Sequence, residues 1–438
     1  MIKKKVNKLV GLKKEDLDQF LVNGQIQAQN ARLIPTLKTG DEMALTSIFL
    51  SAIKFVKEYR DSFFKEIKLS RSGRIHYFTE VCIPEISSSR IDGLIIVVSK
   101  GVISDATFFE LKNKTNILDE EQITKYINLC KSLKVNKLVT ISNEFVSDPS
   151  ESPLNIKVPK AISLLHFSWT YLITKGQLLL FKNDMNIEDD DQVEIMKEIL
   201  HYFENPISGI KGYTQMKSGW KELAENIKTS KPLAISDQYI ADAVISWQEE
   251  ESDLALLLSR KLGVLVKFKS REVKFDIKKV VKDHYLTSNF SIRDSVSDIK
   301  VKADFATRVV SMSVSVIPPQ DKGTVARVTW IGKQLENCKK KSEDLFNSLS
   351  KDICIEADIR YVRTHLQVGL SEFSTLQEKA KGKDLQAFNI VLIKSYGANF
   401  ASTKKFVELI EQMTLNYYEG VVQHLVNWIP KAPKLKDE

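Results

Sequence analysis

Cysteine is scarce in this chain. Cys82, Cys130, Cys338 and Cys354 are the only four in 438 residues, and no two of them form a Cys-x-x-Cys pair. That spacing excludes a zinc ribbon and makes a reducing, cytoplasmic setting the simplest expectation. The histidines are as uninformative: His76, His201, His284, His365 and His424 show no metal-ligand spacing among themselves. No glycine-rich phosphate loop, internal repeat or low-complexity tract is present. The longest apolar stretch, near residues 254–258, is far too short to span a bilayer, so no membrane partner is expected. The basic start Met1-Ile2-Lys3-Lys4-Lys5 is not followed by an apolar core of signal-peptide length, so no secretory signal is expected. What remains is ordinary globular material: 43% hydrophobic and 27% charged residues, long enough for two or three domains. The net charge of +8 and pI near 8.9 are compatible with a polyanionic partner without demanding one.

Periodicity organises the chain. Residues 1–30 read as a short basic helix and connector. Residues 45–67 carry a helical stripe of Ile48, Phe49, Ala52, Phe55, Val56 and Tyr59, which reads as plain core. Strands are expected at 77–83, 91–98, to the end of Phe108-Phe109-Glu110-Leu111, and at 137–143. Helices are expected at 118–133, 189–203 and 216–227, the second with an acidic start that suits the macrodipole. Residues 148–159, with three prolines, read as a surface loop, and 161–169 as helical or extended. Ser230-Lys231-Pro232 marks the main boundary. This gives an N-terminal connector (1–30), a first domain (31–228) and a C-terminal α+β domain (229–438). In the last, Ser311-Met312-Ser313-Val314-Ser315-Val316 alternates strictly, as a half-buried strand should. Further strands are expected within 355–370 and at 388–393, with helices over 331–349 and 403–428.

The chemistry concentrates between residues 90 and 126. Asp92 heads the apolar run Ile91-Asp92-Gly93-Leu94-Ile95-Ile96-Val97-Val98. Glu110 and Lys112 close the next strand, and the period of two puts both on one face while Phe109 and Leu111 bury on the other. If the two strands are neighbours, Asp92 and Glu110 converge. Paired carboxylates repel, and a divalent cation resolves the repulsion; hard oxygen ligands of this kind suit Mg²⁺ or Mn²⁺. Such a cation activates water and stabilises charge on a phosphate, and Lys112 adds a point charge beside it. Gln122 and Tyr126 follow one turn apart on a helix whose stripe is Ile123, Tyr126, Ile127, Cys130 and Leu133. Asp92, Glu110 and Lys112 are each commonplace alone; their conjunction with strand order and the following helix points to a metal-dependent phosphodiesterase.

This arrangement resembles the PD-(D/E)xK nuclease superfamily, in its RecB-like branch with a Gln-x-x-x-Tyr motif. The flanking segments Ala31-Arg32-Leu33-Ile34-Pro35, Glu42-Met43-Ala44-Leu45-Thr46-Ser47, Thr140-Ile141-Ser142-Asn143 and His166-Phe167-Ser168-Trp169 are similar to those of bacterial nuclease-like and stress-response proteins. The resemblance covers roughly residues 30–225. It implies an α/β, restriction-endonuclease-like mixed sheet flanked by helices. It also implies metal ligation by Asp92 and Glu110, a catalytic Lys112, Gln122 and Tyr126 supporting the site or the DNA backbone, and Glu42 as a helix glutamate joining the site. One departure is that the first motif reads Ile-Asp rather than Pro-Asp, which keeps the carboxylate. The expected activity is Mg²⁺- or Mn²⁺-dependent cleavage of DNA, in phage defence, restriction or repair. The alternative is a catalytically silent nucleic-acid-binding or stress-response interaction protein with a nuclease fold.

A second candidate lies in the C-terminal half. Between Arg260 and Asp283 stand nine basic residues and three acidic ones. On an expected strand at 264–270, Lys267 and Lys269 share a face; with Arg271 and Lys274 they form a strip able to track phosphates, or simply a solvated face. Lys339-Lys340-Lys341 reads as a solvated helix face. His166 beside Trp169 reads as a packed, hydrogen-bonded histidine. Two further partners stay compatible with the sequence: a second copy of the chain, and a protein held by residues 229–438.

Overall fold

A computed structural model of the chain describes residues 6–30, 41–84, 86–146, 148–181, 186–269 and 271–429. The motif at 31–35 lies outside the described residues. Two compact units emerge: residues 1–213 with 259–263, and residues 214–258 with 264–438. Both are mixtures of helix and strand, and each holds one sheet among the described residues.

In the first unit, α1 (Lys14–Val22), β1 (Gln27–Asn30), α2 (Glu42–Phe55) and α3 (Lys57–Glu66) precede a run of strands. These are β2 (Arg74–Ile83), β3 (Ser87–Ser99) and β4 (Val102–Leu111). Then come α4 (Glu120–Leu133), β5 (Lys137–Ser142), β6 (Ser163–Ser168), α5 (Trp169–Leu180) and α6 (Asp190–Glu204). The sheet runs β1-β2-β3-β4-β5-β6; β1 to β4 pair antiparallel, and β4-β5 and β5-β6 pair parallel. Strand alternation sorts its two faces. Ile95, Val97, Phe109, Leu111, Val139 and Phe167 pack against α2, α3, α5 and α6. Leu94, Ile96, Phe108, Leu138 and Leu164 pack against α1 and α4. A period of two therefore assigns Asp92 and Glu110 to the α4 face.

Three local expectations change. The helix over 45–67 is two helices, broken at Val56, whose extended backbone (φ −105°, ψ 105°) cannot continue an α-helix. β3 begins at Ser87, so Asp92 lies inside the strand rather than at its head. The segment 161–169 is strand β6, and helix α5 then starts at Trp169, capped by the Ser168 hydroxyl, which accepts from Tyr171 N.

The second unit holds α7 (Ser218–Lys228), α8 (Gln238–Leu262) up to Leu258, β7 (Lys267–Phe268), α9 (Val273–Asp283), β8 (Tyr285–Ser291), β9 (Ile299–Asp304) and β10 (Val309–Val316). It continues with α10 (Thr324–Lys341), α11 (Glu343–Leu349), β11 (Ile353–Ile359), β12 (Leu366–Gly369), α12 (Leu376–Lys379), β13 (Leu385–Ser395) and α13 (Thr403–Gly420). Its sheet, β12-β11-β13-β10-β9-β8-β7, is antiparallel throughout. The chain divides after Tyr213, ahead of the boundary placed at 228, because α7 belongs to the second core. Its Trp220 stacks on Trp247 and packs on Phe305, Phe400 and Phe406, and its indole N–H donates to Phe400 O at 2.7 Å. No helix among the described residues is long and apolar enough to cross a membrane.

Candidate active site

The site begins with a register. Gly93 pairs with Phe109 across β3 and β4, so one further step along the antiparallel ladder sets Asp92 opposite Glu110, both on the α4 face. Asp92 Oδ2 accepts the Leu111 backbone N–H at 2.7 Å, which fixes the carboxyl at the end of β4. Glu110 is fully buried, and the Lys112 ammonium stands 2.6 Å from its Oε1. Neither Glu110 oxygen makes a hydrogen bond of good geometry, Lys112 included. The strand end is held from outside as well: Lys112 N donates to Ile141 O at 2.8 Å, and the Trp169 indole donates to Lys112 O at 2.9 Å.

Burial governs the charges. It pushes the Asp92 carboxyl well above the usual carboxylate range, and the negative charge of Glu110 adds to the effect, against the Leu111 N–H and Lys112. Burial also raises Glu110, while the Lys112 ammonium first, then the nearby Asp92 and Tyr126 side chains, hold it down. Burial therefore acts on both carboxyls in the same direction and disfavours two charges side by side. Burial alone would lower Lys112, but Glu110 first, then Asp92 and Glu42, outweigh it and keep the ammonium charged.

The expected supporting residues are all near, in different roles. Gln122 Nε2 donates to the Tyr126 hydroxyl at 2.9 Å, and that hydroxyl donates to Arg90 O at 2.7 Å. The Gln-x-x-x-Tyr pair therefore ties α4 to the β3 backbone two residues before Asp92. Burial and then the charge of Glu110 raise the Tyr126 phenol, which stays neutral. Glu42, the first residue of α2, accepts from Asn113 N at 3.0 Å and Asn116 Nδ2 at 2.8 Å. It steadies the turn after Lys112. His166 bridges Thr140 Oγ1 and Glu144 O at 2.9 Å each, and burial lowers it to about 4, so it is a neutral packing residue, as its setting in the sequence suggests.

Two neighbours escape the sequence reading. Gly93 follows Asp92, and a Cβ there would meet Phe109 Cβ at 3.1 Å and Leu50 Cδ1 at 3.2 Å, so its lack of a side chain lets α2 lie close on the strand. A glycine inside a strand run was the available signal. Glu80 lies on β2 between the pairs Thr79–Gly93 and Val81–Ile91, hence beside Asp92, with φ of 54° and an ion pair to Arg90 at 3.5 Å. Its charge helps raise Asp92. Only the β2-β3 register reveals it, and one sequence does not carry that register.

Among the described residues no three of His, Cys, Asp and Glu converge into a metal cluster. Asp92 and Glu110, with Glu80 on the neighbouring strand paired to Arg90, are the carboxylates at the site among the described residues. That donor set fits Mg²⁺, which keeps several waters and is commonly held by one or two carboxylates. The buried Glu110 carboxylate, whose oxygens lack a well-aligned donor, is the group that a cation would satisfy.

The C-terminal strip comes apart. Lys267 and Lys269 are exposed, but β7 is only Lys267–Phe268, and residue 270 lies outside the described residues. Lys274 is exposed on α9. Arg271 is no phosphate contact: Nη2 meets both Glu251 oxygens at 2.8 and 2.9 Å, and Nε meets both Asp276 oxygens at 3.1 Å. Those partners face inward, and the guanidinium goes with them.

Comparison with known proteins returns no matching family model, no matching curated protein and no matching solved structure.

Proposed function

We propose that the first unit is a divalent-metal-dependent nuclease of PD-(D/E)xK type, with a restriction-endonuclease-like fold, that hydrolyses phosphodiester bonds of DNA. The observation that carries the reading is the half-buried Asp92 opposite the fully buried Glu110, with the Lys112 ammonium 2.6 Å from Glu110. A mixed six-stranded sheet with helices on both faces supports the fold assignment.

Asp92 and Glu110 would hold Mg²⁺ or Mn²⁺. Bound there, the cation would supply an acidified water and neutralise charge on the scissile phosphate. The rest is the work of the chain. The Leu111 N–H aims Asp92, and the Trp169 indole and Ile141 carbonyl pin the Lys112 backbone. Lys112 enters the reaction as a cation, so it stabilises charge building on the phosphate rather than accepting a proton. Glu42 and the Gln122–Tyr126 pair keep the strand ends from shifting.

A second reading is favoured by one observation. Lys112 already neutralises Glu110, and no third acidic ligand completes a cluster among the described residues. On that basis the fold would bind nucleic acid, or a protein partner in a stress response, without cleaving. A cleavage assay on plasmid and linear DNA with Mg²⁺ or Mn²⁺ decides, comparing wild type with Lys112→Ala. Metal-dependent cleavage lost in the variant supports the nuclease. Salt-sensitive binding without cleavage by the wild type supports the silent form.

A further inference from the structure

We propose that the β11–β12 hairpin tip of the second unit is a docking point for single-stranded nucleic acid, with Tyr361 stacking on an unpaired base. Tyr361 is 97% exposed, the most exposed of the large apolar and aromatic side chains in the described residues. It also occupies φ of 63°, in a turn closed by Val362 N donating to Ile359 O at 3.1 Å. Turns of that shape take glycine or asparagine at such a position. A bulky side chain there strains the backbone, and full exposure returns no packing within the fold.

The tip is nonetheless held firmly. Arg360 N donates to Asp384 O at 2.8 Å, and Arg360 Nε pairs with Asp384 Oδ2 at 3.3 Å. His365 Nδ1 lies 2.7 Å from Asp358 Oδ1, which also accepts from Asn389. These bonds clamp the hairpin against the loop between α12 and β13 and point Tyr361 outward. They also engage the nearby carboxylates: Asp358 by His365 and Asn389, Asp384 by Arg327 and Arg360.

What is left is basic. Arg363, Lys379 and Lys381 are exposed and Lys383 is half-exposed; the exposed acids nearby in sequence are Glu372, Glu378 on α12 and Asp384, the last held by Arg327 and Arg360. Arg363 and Lys381 make no ion pair among the described residues. Arg360 lies over one face of the Tyr361 ring at 5.9 Å, so the ring sits between a cation and solvent. A rigid aromatic flanked by cations is the arrangement that holds a single strand: bases stack on the ring and phosphates meet the charges. In a duplex the bases already stack on one another, which favours the unpaired strand.

The inference does not depend on cleavage at Asp92, so binding is measured on the full chain in EDTA. The probe is a fluorescein-labelled single-stranded oligodeoxythymidine, read by anisotropy over a salt series. Tyr361→Ala should weaken binding at least about fivefold, while Tyr361→Trp keeps it, because stacking is what is lost. The salt slope should be unchanged in Tyr361→Ala and should fall by roughly 0.7 per cation in Arg363→Gln and Lys381→Gln. Each side chain is exposed, so the melting temperatures should match wild type. Equal affinity of Tyr361→Ala and wild type overturns the proposal, as does equal loss in the Ala and Trp variants. A wild-type chain that does not bind the strand also overturns it and leaves the tip to a protein partner.

Discussion

The chain twice sets one cation beside paired carboxylates, with opposite results. In the second unit Arg271 spreads its fork over Glu251 and Asp276 and reaches all four carboxylate oxygens. A planar guanidinium with several donors can close such a cluster. In the first unit Lys112 is a point charge; it stands close to Glu110 without a well-aligned hydrogen bond to either oxygen. The Arg271 cluster is finished as it stands, while the Glu110 oxygens stay open to a further cation. Composition does not separate a structural ion triad from a site; what separates them is which oxygens remain unmet.

The largest effects should break the comparison at the unfinished cluster. Glu110→Gln and Asp92→Asn should each abolish metal-dependent cleavage, and metal-free Asp92→Asn should melt at or above the wild-type temperature, since the carboxyl that burial and Glu110 disfavour as an anion is gone. Lys112→Ala should keep metal affinity and lose about 10²–10³-fold in rate, measured by single-turnover cleavage. Unchanged turnover would make Lys112 a mere neutraliser.

The finished cluster should respond in stability. Arg271→Ala should cost roughly 3–5 kcal/mol in urea unfolding, because two buried carboxylates lose their partner. Arg271→Lys should restore only part, because a point charge does not cover four oxygens. A loss under about 1 kcal/mol would put Arg271 among ordinary surface ion pairs.

A third test uses pH. The folded Asp92 carboxyl is raised by burial and by Glu110, so the folded protein keeps a proton that the unfolded chain releases above its ordinary carboxyl pKa. Metal-free stability should therefore fall as pH rises from about 4 towards neutrality, and Asp92→Asn should flatten that fall. Melts in EDTA across this range check it. The smallest effect is at the strip: Lys267→Gln with Lys269→Gln should lower the salt slope of DNA binding by roughly one unit per contact, without changing sequence preference. An unchanged slope makes them solvated lysines.

Sequence periodicity carried the first unit's layers well. Strand alternation around Ile95, Val97 and Phe109 and the stripe of α4 follow from the period, and burial enforces both. It also placed Asp92, Glu110 and Lys112 on one side, because that needs only parity and neighbouring strands. It did not yield the break at Val56, which lies within a continuous apolar stripe with no proline or glycine. It did not yield the partners of Glu42, or Glu80 beside Asp92, since these depend on a turn and a strand register. Arg271 was misjudged because nearby lysines suggested a solvated stripe. Its acceptors include Glu251, twenty residues away on α8, a helix that the sequence reading did not place.

We propose that Asp92 and Glu110, both disfavoured as anions by burial, form a pair that a divalent cation would complete. Mn²⁺ titration calorimetry of the intact chain, near neutral pH in two buffers of different ionisation enthalpy, tests it most directly. The account predicts saturable binding that releases up to about one proton per cation, with binding lost in Asp92→Asn and Glu110→Gln. Absence of binding in the wild type, or unchanged affinity in both variants, would contradict it.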